Sequence, residues 1–173
     1  TGCSGGSKEM QRGLDLRSEL LKASECRFSC EITADYSDKV YTFSMDCQCD
    51  PQGNLTFAVT APETIAGITA HVKDSAADVS FDNTQLGLGS LANGRLAPLA
   101  APYVLGQSWA GAYIDSTGTE DGLLRATYRL GYDKQELVVD TWFTEEPFTP
   151  QYAEISADGR MVLSIRISNF AMQ

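Results

Sequence analysis

The chain has 173 residues, 43% apolar and 21% charged, and a net charge of −10. That length describes one domain able to bury about 70% of its extended-chain surface. The acidic balance argues against nucleic acid, whose phosphates draw affinity from Lys and Arg, and against charge-driven docking on anionic lipid heads. No run of apolar residues is long enough to read as a membrane-crossing helix.

In chain order, Thr1-Gly2-Cys3-Ser4-Gly5-Gly6-Ser7 comes first. A small residue, Gly and Cys before a Ser/Gly run resembles the cleavage point of a bacterial lipoprotein signal. The resemblance implies a diacylated (palmitate-bearing) Cys3 as the mature N-terminus. The protein would then lie outside the cytoplasm, held to the cell membrane by that lipid alone. Residues 1–7 form the anchor site and a flexible tether, and 8–173 a single domain. Residues 8–23 read as an amphipathic helix with Met10, Leu14, Leu20 and Leu21 near one face.

Setting Cys3 aside leaves four cysteines, Cys26, Cys30, Cys47 and Cys49. An even set in an exported chain points to disulfides. A four-thiolate zinc site is the competing reading, but zinc knuckles usually place two residues between ligands on a turn, and here the spacings are three and one. Free buried thiols are the third. In 26–36 the even positions are Cys26, Phe28, Cys30, Ile32, Ala34 and Tyr36; in 40–49 the odd ones include Tyr41, Phe43, Met45, Cys47 and Cys49. Both are period-2 strands, joined at Ser37-Asp38-Lys39. With Ile32 facing Phe43, Cys26 faces Cys49. Cys30 then faces Met45 and reaches Cys47 diagonally, or directly across a bulge. The expected bridges are Cys26–Cys49 and Cys30–Cys47.

Asp50-Pro51-Gln52-Gly53 is a turn, and Leu55, Phe57 and Val59 alternate along a third strand. Residues 65–72 and 77–82 read as further strands, as do 123–130, 136–144, 151–156 and 161–170, with Asp158-Gly159 a hairpin turn before the last. A two-residue turn there would put Glu154 on the apolar face with Tyr152, Leu163 and Ile165, unless a bulge turns it out or it sits at a cavity mouth. Between the halves lies an almost uncharged apolar stretch, 86–113, which Pro98 and Pro102 break into two short helical pieces. It reads either as a helix plugging the sheet or as a lid over an apolar cavity.

No nucleophile elbow, phosphate loop, metalloprotease helix or dinucleotide fingerprint is present. The only histidine, His71, has no motif around it. Glu120-Asp121 and Glu145-Glu146 sit beside turn residues and read as solvated, and Cys47-x-Cys49 reads as structural rather than redox-active. The expectation is a protein that is no enzyme and carries neither cofactor nor metal.

The layout of helix, antiparallel strands, apolar helical insertion and further strands resembles the lipoprotein-carrier superfamily. That group includes the LolA and LolB carriers, the sensor domain of RseB-type regulators and mycobacterial glycolipid-carrier lipoproteins. Pro62-Glu63-Thr64-Ile65-Ala66-Gly67-Ile68-Thr69-Ala70 is similar to the end of their early strands. Pro147-Phe148-Thr149-Pro150-Gln151-Tyr152-Ala153-Glu154-Ile155, with Asp158-Gly159 and Ser168-Asn169-Phe170, is similar to such lipoproteins in Gram-positive bacteria. The resemblance implies an α+β fold, a strongly curved antiparallel sheet forming an unclosed half-barrel with an N-terminal helix and a central helical cover on its concave side. It implies that a lipid or acyl chain is handled there. The apolar residues that would line the cavity are Phe28, Ile32, Phe43, Met45 and Phe57 from early strands, Leu99, Tyr103 and Trp109 from the central stretch, and Trp142 from a late strand. The alternative is a surface-tethered sensor or protein-interaction module with a filled core and an unidentified partner.

Overall fold

Alternation of apolar and polar side chains governs most of this chain, and burial follows it. The computed structural model describes residues 5–50, 52, 54–72, 80–81 and 96–173. Helix α1 (Gly5–Lys22) leads into β1 (Cys26–Asp35) and β2 (Val40–Cys49), paired in the expected register with Cys26 opposite Cys49 and Ile32 opposite Phe43. Three shorter strands follow: β3 (Leu55–Ala61), β4 (Thr69–Val72) and β5 (Ser80–Phe81). A 3₁₀ turn (Pro98–Ala100) then enters helix α2 (Ala101–Gly111). The second half is β6 (Tyr113–Glu120), β7 (Leu123–Leu130), β8 (Leu137–Phe143), β9 (Pro150–Ala157) and β10 (Arg160–Met172).

All ten strands belong to one antiparallel sheet of order β5-β4-β3-β2-β1-β10-β9-β8-β7-β6. Two five-stranded meanders therefore meet where the first strand pairs with the last. Among the described residues the two edges, β5 and β6, do not pair with each other, so the sheet is an unclosed half-barrel. Both helices lie against the same face. The core runs along it from Leu16 of α1 through Ile32, Met45, Phe57, Leu105, Trp109, Tyr128 and Ile165. The expected α+β class, unclosed sheet, N-terminal helix and central helical cover are all present.

Four local readings need correction. Helix α1 begins at Gly5, within the stretch read as tether, while residues 1–4 lie outside the described residues. On that helix Leu16 is buried, whereas Leu14 and Leu21 face solvent. The fourth strand begins only at Thr69. Residues 62–67 form turns instead, closed by the Gly67 amide donating to the Val59 carbonyl at 2.8 Å, with Gly67 at a φ of +90° that suits a residue without a Cβ. Strand β6 was not expected at all.

The last hairpin resolves the Glu154 question. Asp158 and Gly159 both take positive φ (54° and 76°), as a two-residue turn of this hand requires. A bulge between Met161 and Leu163 then shifts the register, leaving Val162 and Leu163 both buried. Glu154 consequently projects to the outer face beside Tyr152, whose hydroxyl donates to its Oε1 at 3.2 Å.

One side chain couples the two helices. Arg17 of α1 donates from Nε to the Trp109 carbonyl (3.1 Å) and from Nη2 to the carbonyls of Ser108 (3.2 Å) and Ala112 (2.6 Å). These carbonyls belong to the last turn of α2, where helical partners run out and the dipole favours a cation. Arg12 of the same helix donates to the Glu145 carbonyl and lies 4.7 Å from the centre of the Phe148 ring. Replacing Arg17→Met keeps the apolar stem and removes the donors. The expected cost is about 2 kcal/mol in urea denaturation, with amide exchange quickening in α2 before the central strands. Unchanged α2 protection would contradict this role for Arg17.

Candidate functional site

Trp109 organises the centre of the covered face. It sits on the inner side of α2 because Ala101, Pro102, Val104, Leu105, Ser108 and Trp109 are the residues that this short helix turns toward the sheet. Its Nε1 donates to Thr141 Oγ1 of β8 at 3.1 Å, satisfying the one polar atom of a fully buried indole. Around it the rings of Phe28 (5.7 Å), Phe170 (5.9 Å) and Phe143 (6.4 Å) meet it edge-on. The edge-on rings and the indole hydrogen bond fix the orientation of Trp109, and the aliphatic packing around them is non-directional.

Beside Trp109 an apolar cleft opens between the last turn of α1, the middle of α2 and the ends of β1 and β2. Leu20, Leu21, Cys26, Phe28, Gly106 and Trp109 wall it. Leu21, 57% exposed, stands where the cleft meets solvent. Its space is small, about 40 Å³, against the roughly 300–1,000 Å³ of ordinary ligand sites. Two carboxylates also border it. Glu25 pairs with Arg27 at 2.7 Å and accepts from Gln48 at 2.6 Å. Asp50 accepts from the Asn54 amide and side chain, both at 2.9 Å. Their charge is held by these partners at the cleft edge.

Most of the expected lining residues do share the covered face. Phe28, Ile32, Phe43, Met45, Phe57, Leu99 and Trp109 are buried, and Tyr103 packs half-buried against them. They form a continuous packed cluster, and of them Phe28 and Trp109 border the cleft. Trp142 does not belong. On β8 the inner positions are 137, 139, 141 and 143, so Trp142 faces outward. There its ring lies 5.4 Å from both the Arg125 guanidinium carbon and the Tyr152 ring. Arg125 in turn binds Asp140 at 3.0 Å, and Thr127 donates to the same carboxylate oxygen. Arg17 carries no signal in the sequence, while Leu20, on the apolar face expected of α1, does reach the cleft. Arg17 is one charge among several on an amphipathic helix, and only the position of α2 gives it partners.

In this structure the four cysteines of the first hairpin stand as buried free thiols. Cys30 Sγ lies 3.7 Å from Cys47 Sγ, beyond the ~2.05 Å of a disulfide bond. Burial pushes the Cys26 and Cys49 thiols up to about 12, with Cys26, Asp50 and Cys30 adding to the shift at Cys49. Cys47 is also raised, by burial first and then by its neighbour Cys30. At neutral pH such thiols stay protonated, and a protonated thiol is a poor nucleophile and metal ligand. His71 is exposed on β4, opposite Thr56. Among the described residues no three His, Cys, Asp or Glu side chains converge as a metal site requires. Cys3 lies outside the described residues.

No known family model matches the chain, and no curated protein does. Solved structures are similar to it at low identity. An uncharacterized conserved protein from Thermus thermophilus is 12% identical over 95% of this chain and 87% of its own, with a TM-score of 0.48. LprF from Mycobacterium bovis is 14% identical over 96% and 94%, with a TM-score of 0.45. A LolA superfamily protein from Nitrosomonas europaea is 12% identical over 93% of each chain, with a TM-score of 0.42.

Among the described residues a buried polar atom of the sheet's covered face stands without a partner. Tyr128 of β7 is wholly buried and its hydroxyl meets no acceptor or donor. Burial drives its phenol well above the ordinary range, with Arg17 pulling in the opposite direction. Tyr128→Phe removes the unmet hydroxyl and keeps the ring. The expected result is a gain of about 1 kcal/mol in urea denaturation; a loss of that size would show that the hydroxyl is satisfied in solution.

Proposed function

We propose that this chain is a bacterial envelope lipoprotein, anchored through acylated Cys3, that holds the acyl chain of a lipid between its half-barrel and the α1–α2 cover. The observation that carries this reading is the apolar cleft beside Trp109, which opens to solvent at Leu21 and continues into the packed aromatic cluster. The space within it is far below that of an acyl chain, so loading requires the cover to lift. The construction favours such movement as a unit: Arg17 ties α1 to α2, while the cover meets the sheet mainly through apolar contacts, with the Trp109–Thr141 and Arg12–Glu145 hydrogen bonds as the directed ones. A ligand entering there replaces protein contacts with its own methylenes, at about 0.8 kcal/mol per buried CH₂. The Thr1-Gly2-Cys3 triplet and the Ser/Gly residues after it support the anchor. Exposure to the envelope follows from such an anchor. No chemistry on the ligand is required of any residue.

The tight interior also favours a second reading, a tethered sensor or protein-interaction module whose core is simply full. One titration separates the two. In a Trp142→Phe variant Trp109 is the remaining indole, and its emission reports on the cleft. Palmitate and lysophosphatidylcholine, added below their micellar concentrations, are expected to shift that emission saturably. Ala110→Phe, which fills the cleft from α2, should weaken binding by about tenfold or more, a loss of ~1.4 kcal/mol, while leaving the melting temperature nearly unchanged. No saturable change with either lipid favours the filled-core module.

A further inference from the structure

We propose that the four thiols of the first hairpin are the precursors of two cross-strand disulfides, Cys26–Cys49 and Cys30–Cys47, closed before the hairpin is buried by its cover. The backbone register and the sulfur positions together favour one pairing. Cys26 and Cys49 are directly opposed residues of β1 and β2. Cys30 opposes Met45, and its sulfur reaches diagonally to 3.7 Å from that of Cys47. A bridge inside one strand is excluded by geometry. Cys47 and Cys49 are two residues apart on the same face, roughly 6.6 Å along the strand, whereas bridged Cβ atoms lie about 3.5–4.5 Å apart. Cys26 and Cys30 are four apart, about twice that distance. Pairing Cys26 with Cys47 would strand Cys30 and Cys49, again four positions out of register.

Each closure is a thiol–disulfide exchange. A cysteine thiolate attacks an incoming disulfide, releases one thiol, and leaves a mixed disulfide that the second cysteine displaces, releasing the other. Two cysteine thiols become one bridge and the incoming disulfide becomes two thiols. The oxidant is therefore a disulfide donor of the compartment, protein or small molecule. In the folded chain all four thiols are buried, Cys26 and Cys49 in the cleft wall, with Cys49 Sγ so close to α2 that a Cβ on Gly106 would lie 3.5 Å from it. No donor reaches them there, so exchange belongs to the stage when the hairpin is formed and α2 has not yet docked. Cys26 and Cys49 also wall the cleft, so their bridge fixes the strand ends against which α1 and α2 close. The pairing does not depend on the lipid reading.

The test uses the full chain exported to an oxidising compartment, denatured in iodoacetamide and weighed intact. The expected mass lies four hydrogens below that of the reduced chain, with none of the four hairpin cysteines alkylated and peptide links joining Cys26 to Cys49 and Cys30 to Cys47. Reduction should lower the melting temperature by roughly 6–12 °C, the shift for closing loops of this length in a domain of this size. The paired variants Cys26→Ser/Cys49→Ser and Cys30→Ser/Cys47→Ser should each retain the other bridge, two hydrogens below their reduced mass. Protein made in a reducing cytosol should take up the bridges only when denatured before the disulfide donor is added. Four alkylated hairpin cysteines in the exported chain, or a Cys47–Cys49 link, overturns the proposal. The wild-type mass decides even if the variants fail to fold.

Discussion

The structure depends on one topological constraint: a sheet that begins in its middle and never closes. Pairing β1 with β10 places both chain halves side by side and sends β5 and β6 to opposite edges. With neighbouring strands about 4.8 Å apart, ten strands span roughly 43 Å along the sheet. The chain between Phe81 and Tyr113 must bridge those edges, and α2 crosses the inner face on that path. In a closed barrel the two edges would pair, and the apolar interior would need no helical cover. Here α2 supplies that cover.

That arrangement sets the balance between permanence and release. The sheet holds itself through continuous backbone ladders, which neither helix contributes to. The cover is held otherwise, by burial of Trp109, Leu105 and Leu16, by the Trp109 indole donating to Thr141 of β8 and by Arg12, while Arg17 ties α1 to α2 within the cover. Moving the cover therefore breaks no backbone hydrogen bond of the sheet, only the side-chain bond from Trp109 to Thr141. It exposes apolar surface unless something apolar takes the place of the helices. An acyl chain meets that condition, and this is the physical sense in which a nearly filled interior is compatible with carrying one.

Much of the fold was legible because alternation survives translation into burial. The register of the first hairpin, Cys26 against Cys49, followed from two period-2 patterns and a short turn. The broken helix followed from Pro98 and Pro102, which now sit at the start of the 3₁₀ turn and of α2. Strand β6 escaped because an edge strand need bury little: of its eight residues only Ile114 is buried. Asp121-Gly122, with φ of 51° and 78°, carried the same hairpin signal as Asp158-Gly159 but was read as a solvated carboxylate beside a turn. Trp142 is large and apolar, yet strand parity decides its side. Its neighbours Thr141 and Phe143 point inward, so it cannot. The cleft itself was not legible, since Leu20, Gly106 and Cys49 meet only through long-range packing.

The central claim is that the covered face accepts an oily guest. Native mass spectrometry of the full chain purified from its own host, with organic extraction of the same sample, tests it most directly. The account predicts a species heavier than the acylated polypeptide by one amphiphile, released on denaturation and recovered in the extract. A single species carrying covalent modifications alone, with no extractable lipid and none taken up from added lysophospholipid, would contradict it.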